Sequence, residues 1–372
     1  MRGHVDVVLD AAYGSSGKGK LSTWLADHKG YAGVSSANFP NAGHTALRNG
    51  FKFVAKAIPT AAMLWRDCEA WDCAFFLTPG SGFTWSQLTK EWKECGKPPI
   101  YIHERACVLT DEHAAREREG AESTAHIAST MQGTAAAMTD KILRKQNAPV
   151  AAQYSDAFLA LEGVHILQAQ KFRDAIHDIL SYDDILHEGS QGYALSIDHG
   201  SHYPQCTSRN CTTAAALDYL GVAPQRLGDV WLNIRSYPIR VGNIAQGSSG
   251  DFYPDSQEIT WAEVAARAGM PYDETIKLAE RERTTVTKRI RRVATFSWQN
   301  LEDAVRTNGA TKLCLNFAQY IDWSDNGKRD FDKLTRNTRE FVDEIETRTG
   351  LPVALIGTGA DHEDMVVREE YV

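Results

Sequence analysis

Tyr13-Gly14-Ser15-Ser16-Gly17-Lys18-Gly19-Lys20 is the stretch that decides how this chain is read. It follows Val5-Asp6-Val7-Val8-Leu9, apolar enough for a buried strand. After it, Leu21, Trp24, Leu25 and His28 fall at i, i+3, i+4 and i+7, the spacing of one helix face. A glycine-rich turn between strand and helix exposes backbone N–H groups at the positive end of that helix, where a phosphate is stabilised. Lys18 and Lys20 add positive charge. Gly14 to Lys20 nearly fits G-x-x-x-x-G-K-[ST], but Leu21 stands where the metal-binding hydroxyl belongs. The loop therefore reads as phosphate-binding without being a standard Walker A. The plainer alternative is a glycine turn carrying surface lysines.

Further apolar strands are expected at Val164-His165-Ile166-Leu167, Ile185-Leu186, Val230-Trp231-Leu232-Asn233-Ile234, Leu313-Cys314-Leu315 and Val353-Ala354-Leu355-Ile356. Helical stretches lie between them. Thr260-Trp261-Ala262-Glu263 has the form of a capping box. The stretch from Phe331 to Thr349 puts Leu334, Phe341, Val342 and Ile345 on one side and stops at Gly350, a C-terminal cap. Alternating strands and helices predict an α/β fold: a mostly parallel central sheet covered by helices, with insertions. Binding sites gather at the carboxyl ends of such strands. Gly14, Glu188 and Gly357 each follow a strand closely.

The 372 residues, 43% of them hydrophobic, suffice for a sizeable core, read here as one domain over 1–372. A formal charge of −8 argues against a general nucleic-acid binder. No apolar run approaches a membrane span, and Met1-Arg2-Gly3-His4 leads directly into a strand, so neither membrane anchor nor signal peptide is expected. The seven cysteines form no C-x-x-C pair and read as reduced thiols of a cytoplasmic protein.

Other segments join the glycine loop. They are Asn41-Ala42-Gly43-His44-Thr45, Glu188-Gly189-Ser190-Gln191-Gly192, Asp198-His199-Gly200, Thr207-Ser208-Arg209-Asn210-Cys211-Thr212-Thr213, Thr284-Thr285-Val286-Thr287-Lys288-Arg289-Ile290-Arg291-Arg292 and Ile356-Gly357-Thr358-Gly359-Ala360-Asp361. In this order they resemble the adenylosuccinate synthetases, whose strings are GDEGKGK, NAGHT, EGAQG, DIDHGTYP, TSSNTT, TTGRRRR and STGPDR. The resemblance implies a P-loop-NTPase-like fold. It also implies a ligase that joins aspartate to the 6-position of a purine nucleotide. A triphosphate phosphorylates the 6-oxygen, and the aspartate amine displaces that phosphate. The family's general base is the aspartate of GDEGKGK. Its partner for the transferred phosphoryl group is the histidine of NAGHT, matched by His44.

Two departures set this chain apart. The base position is Ser15, with Ser16 beside it, and a serine hydroxyl is a poor base at neutral pH. Its small side chain leaves room for the 2-amino group of guanine. The family reads the guanine of its GTP donor with a K-L-D segment; here Phe317 replaces the lysine and Gln319 the aspartate. Gln can both donate to and accept from adenine. Together these features resemble the phage branch of the family, the 2-aminoadenylosuccinate synthases, which take dGMP as acceptor and ATP or dATP as donor. The group that deprotonates N1 stays open among the triphosphate, a metal-bound water and a side chain such as Asp10.

The remaining roles are those the resemblance implies. Gly14, Ser16, Gly17, Lys18, Gly19, Lys20, Gly43, Thr45, Gln319, Gly357 and Gly359 surround the donor. Ser15, Asn41, Ser129, Thr130, Arg144, Gln191, Thr207 and Arg240 surround the acceptor. Arg144 comes from a second subunit, which implies a homodimer. Thr287, Arg289 and Arg291 form the L-aspartate pocket, where an arginine fork suits a carboxylate. The plainer reading of this basic run is a solvated face. Mg2+ is the implied cofactor, held by the Gly43 carbonyl and phosphate oxygens, with Ser15 as a further candidate. An ordinary synthetase using IMP and GTP is the alternative within the family. A nucleotide-binding switch without ligase activity is the alternative outside it.

Overall fold

The computed structural model describes residues 3–67, 71–154, 161–284 and 286–372. Its centre is β1, Val5–Asp10, all six residues buried. It lies between Ile185–Glu188 and Leu227–Arg235, parallel to both. The ten-stranded sheet runs in the order Met365–Val367, Val353–Gly357, Lys312–Asn316, Leu227–Arg235, Val5–Asp10, Ile185–Glu188, Gly33–Ser36, Ala74–Leu77, Ile100–His103, Val164–Leu167. Only Met365–Val367 is antiparallel to its neighbour. The expected mostly parallel α/β architecture is therefore present.

Helices cover both faces, which is why β1 reads as one apolar run. Val8 packs with Leu21, Trp24, Leu25 and Phe75. Val5, Val7 and Leu9 pack on the opposite face with Ile176, Leu217 and Leu232. The strands expected from sequence are all found, some a residue or more longer. Gly33–Ser36, Ala74–Leu77, Ile100–His103 and Met365–Val367 join them; short apolar strands carry little periodic signal.

The helix after the glycine loop, α1, spans Lys18–Lys29. Its expected face holds at Leu21, Trp24 and Leu25. His28 is exposed, its ring stacked 4.1 Å from that of Trp24. The expected capping box exists: the Thr260 hydroxyl accepts from the Glu263 N–H, and the Glu263 carboxylate accepts from the Thr260 N–H. The stretch from Phe331 needs a correction. A single turn, Phe331–Lys333, is followed by extended Leu334, and the helix is Arg336–Thr349. The Asp325 carboxylate causes the break by accepting from the Thr335 N–H and hydroxyl. Gly350 ends the helix at φ 68°, as expected.

A small antiparallel sheet, Ile239–Arg240, Glu258–Ile259 and Arg292–Ala294, sits with the helices Trp261–Arg267 and Tyr272–Arg281. Ile239, Trp261, Val264, Leu278 and Tyr320 form its own apolar cluster. No helix among the described residues is long and apolar enough to cross a membrane. The six described cysteines are all free thiols.

Candidate active site

The carboxyl ends of the central strands open into a cavity of about 750 Å³. The glycine loop forms its floor. Asp10, at the end of β1, folds this loop: its Oδ1 accepts from the N–H groups of Ala12 (2.7 Å) and Gly14 (3.2 Å). Asp10 is 1% exposed and its other oxygen lies 3.5 Å from the Lys18 ammonium. Its carboxylate is thus engaged in holding the loop, and Asp10 does not line the cavity. The Gln191 loop presses against the same turn. A Cβ on Gly192 would lie 2.3 Å from the Ala12 carbonyl and 2.6 Å from the Gly14 nitrogen, so only glycine permits this approach.

Gly17, in the left-handed region at φ 98°, caps α1 without any side-chain bond, and the first turn carries no acid. The first N–H groups of the helix are thus left for an anion. Two lysines flank them. Lys18 Nζ donates to the Gln191 carbonyl (2.6 Å) and Lys20 Nζ to the carbonyls of Gly359 (2.9 Å) and Asp364 (2.7 Å). Burial pushes the Lys20 ammonium down to about 8. Lys20 is therefore charged below that pH and neutral above it. If it binds donor phosphate, kcat/KM for the triphosphate should fall as pH rises through about 8. Lys20→Arg should lose this limb because guanidinium stays charged. A wild-type profile flat across that range would remove Lys20 from donor binding.

His44 begins the hairpin His44–Arg48/Phe51–Ala55 and lines the cavity. Its Nδ1 meets the Glu188 Oε1 in a short hydrogen bond. Glu188 ends a central strand and is fully buried. The Thr60 N–H and hydroxyl each donate to it at 2.9 Å. Burial alone would raise the Glu188 carboxyl, but His44 and Thr60 outweigh it and hold it below the usual carboxylate range. An ionised carboxylate on Nδ1 orients the ring, leaves Nε2 for chemistry and stabilises an imidazolium.

The arginines separate sharply. Arg240 lines the cavity, but its guanidinium is taken up by the carbonyls of Ser249, Asp251 and Gln205 and lies 4.5 Å over the Tyr13 ring. Arg289 straps the carbonyls of Ala128 (3.0 Å), Ser129 (2.9 Å) and Gly242 (2.9 Å), and is not in the lining. Arg291 lines the cavity; among the described residues its side chain makes a single hydrogen bond, 3.3 Å to Glu282, and its buried Nε has no partner. Of the three, Arg291 keeps donors available for an anion.

The cavity also brings together Gly14, Ser15, Ser16, Gly17, Lys18, Gly19, Lys20, Asn41, Gly43, Thr45, Ser129, Thr130, Gln191, Thr207, Gln319 and Gly359. Among the described residues the buried Gln319 Oε1 and Thr130 Oγ1 have no partner, as is expected of groups awaiting a ligand. Ser15 is exposed at φ 54° and its carbonyl accepts from Arg235 (2.7 Å). Thr287, Arg144 and Gly357 lie outside the lining. The Thr287 hydroxyl is paired with that of Thr284. Arg144 is exposed beyond the helix Thr134–Ile142, beside exposed Ile142 and Leu143. Gly357 packs behind the site, where a Cβ would meet the Asn316 side chain at 2.0 Å.

Sequence reasoning gave no role to Arg235, Glu282, Asn233 or Asn316. Asn316 donates to Asn233 (2.7 Å), which donates to the Ser16 carbonyl and hydroxyl (2.9 Å each). For Asn233, Arg235 and Asn316 the one signal is a polar residue in an apolar strand; Glu282, just past a helix, has none.

A family profile described as adenylosuccinate synthetase matches residues 7–182 and 153–326. The N6-succino-2-amino-2'-deoxyadenylate synthase of Vibrio phage phiVC8 is 34% identical over 332 residues, 87% of this chain and 89% of that protein. The adenylosuccinate synthetase of Pyrococcus horikoshii is 29% identical over 367 residues, 98% of this chain and 99% of that protein. The structure of the cyanophage S-2L succinoaminodeoxyadenylate synthetase (PurZ), bound to dGMP and dATP as an energy donor, superposes with a TM-score of 0.81 at 30% identity. It covers 99% of this chain and 96% of its own. The glycine loop, the buried His44–Glu188 pair and the strand order around them thus sit within a likeness that spans nearly the whole sequence, and the chain belongs to the adenylosuccinate synthetase family.

Proposed function

We propose that this ligase joins L-aspartate to the 6-position of dGMP, using ATP or dATP, and releases N6-succino-2-amino-dAMP as a precursor of diaminopurine DNA. The observation that carries the reading is the side chain at position 15. An exposed serine faces the cavity where the family has a carboxylate. Among the described residues, the two carboxylates that line the cavity are engaged elsewhere. Glu117 accepts from the N–H groups of Gly133, Ala135 and Ala136, and Glu282 is paired with arginines. A purine with a 2-amino group therefore meets no free carboxylate from these residues. The unpartnered Gln319 Oε1 supports an adenine donor, because it can accept from the 6-amino group. The two phage relatives act as further support.

In this reading the guanine 6-oxygen attacks the γ-phosphorus as N1 gives up its proton to a phosphate oxygen of the triphosphate, and ADP or dADP leaves. The amine of aspartate then bonds to C6, and phosphate departs with the 6-oxygen. His44 donates to the transferred phosphoryl oxygens, held in orientation by Glu188. The α1 N-terminus, Lys18 and Lys20 hold phosphates. Arg291 takes an aspartate carboxylate. Arg144, outside the cavity of its own chain, serves a second copy in a homodimer. The Gly43 carbonyl and the Ser15 hydroxyl are oxygen donors suited to Mg2+, which when bound neutralises phosphate charge. Among the described residues the one group of three metal-capable side chains, Asp27, His362 and Glu363, is outside the cavity lining, consistent with an ion held mainly by substrate phosphates.

A matrix of dGMP, GMP and IMP against ATP, dATP and GTP, each with aspartate, tests the reading. The expected result is fastest succinyl-product formation from dGMP, with GTP no better than ATP or dATP. Fastest turnover of IMP with GTP would establish the ordinary reading, which the full-length match to the Pyrococcus horikoshii enzyme favours. Phosphate release without a succinyl product would point to a nucleotide switch.

A further inference from the structure

A buried arginine, Arg235, and a partly buried one, Arg291, share one carboxylate in the cavity wall. Glu282, 3% exposed, follows the helix Tyr272–Arg281. Its Oε1 accepts from Arg235 Nη2 (2.7 Å) and from the Tyr320 hydroxyl (2.9 Å). Its Oε2 faces Arg291 Nη1 at 3.3 Å. Arg235 spends its other donors on the carbonyls of Ser15 (2.7 Å) and Tyr237 (2.9 Å), and its guanidinium lies 3.8 Å over the Phe317 ring. Arg235 is therefore held at three of its nitrogens, whereas among the described residues the Arg291 side chain is held by Glu282 alone and its Nε has no partner.

Charge sharpens the difference. Two guanidiniums and one carboxylate leave a net positive charge in a desolvated wall, and the surplus belongs to the less satisfied partner. A flexible arginine left to itself would lose rotamer entropy on binding a ligand. A buried carboxylate on one face of it removes much of that cost beforehand.

We infer that Glu282 is a positioning residue for Arg291 and, through Arg235 and the Ser15 carbonyl, ties the seat of the amino-acid carboxylate to the loop that faces the acceptor purine. The inference rests on the proposed aspartate role of Arg291. Glu282 lines the cavity with both carboxylate oxygens already engaged, and in this inference it acts through the two arginines. Aspartate saturation should therefore respond to Glu282 more strongly than nucleotide saturation does.

Steady-state kinetics on the full-length enzyme, with its best acceptor and donor, test this. Glu282→Gln keeps size and hydrogen bonding but removes the charge, and should raise KM for aspartate about 10-fold or more, with nucleotide KM values moving much less. Tyr320→Phe keeps the ring and removes one hydrogen bond to Glu282. It should raise the same KM about 2- to 5-fold, and it guards against a misfolded Glu282 variant. In an Arg291→Leu background, which itself raises KM for aspartate, adding Glu282→Gln should change that KM no further, because the residue through which it acts is gone. If both single variants leave KM for aspartate unchanged while Arg291→Leu raises it, or if the two effects simply multiply, the positioning role is overturned and the seat stands. If Arg291→Leu leaves KM for aspartate unchanged, the seat fails and the inference falls with it.

Discussion

His44→Ala is expected to lower kcat by roughly 10²-fold or more, with nucleotide affinity largely retained. The ring is 8% exposed, and its Nδ1 is committed to Glu188, so only Nε2 is available to a ligand. A donor aimed at charge that develops on the moving phosphoryl group is worth most in the transition state, which places the loss in kcat. Glu188→Gln probes the same unit differently. It keeps a hydrogen-bond acceptor for the ring but removes the charge that stabilises imidazolium, so it should cost kcat less than His44→Ala does. Donor and acceptor binding measured by calorimetry separates this from general damage to the cavity. Turnover of His44→Ala within a few-fold of the parent would take His44 out of the mechanism.

Ser15→Asp should move substrate choice, and the surrounding structure makes it a clean test. The Ser15 backbone is in the left-handed region at φ 54°, which aspartate tolerates better than most residues. Its carbonyl is pinned by Arg235, and its side chain is exposed to the cavity. The substitution therefore adds a carboxylate with little call on the backbone to move. In the proposed reading position 15 lies beside N1, so a carboxylate there crowds the 2-amino group of guanine, while hypoxanthine carries only hydrogen and gains a base. The quantity to measure is kcat/KM for dGMP divided by that for IMP, since a ratio cancels losses common to both. A shift of about 10- to 200-fold toward IMP is expected, the scale on which one small group is discriminated in a closed pocket. An unchanged ratio in a folded variant would falsify the assignment of substrate choice to Ser15.

Much of the fold was legible because its signals are local. An apolar strand, a glycine turn and a helix with Leu21, Trp24 and Leu25 on one face declare themselves within thirty residues of chain. The capping box at Thr260 and the stop at Gly350 are equally local. The break before Arg336 was not, because it depends on Asp325 capturing Thr335. Periodicity alone continued the helix through it.

The site divides along the same line. The types and order of the motif residues determined the family, and with it the expectation of phosphate, purine and carboxylate binding. Which charges remain available was decided only by tertiary structure. Arg240, Arg289 and Arg291 are the same residue type, yet the first two are consumed by backbone carbonyls and the third is not. The reason is physical: a guanidinium offers several donors, and its partners are whatever carbonyls the packed chain leaves nearby. Lys18 reaches a carbonyl 173 positions away, His44 a carboxylate 144 away, and Arg235 the Ser15 carbonyl 220 away. The order of strands around β1 creates those neighbours, and that order is written in long-range packing that no local pattern encodes. The sequence by itself thus determined what chemistry the chain carries; the tertiary structure decided which atoms are free to perform it.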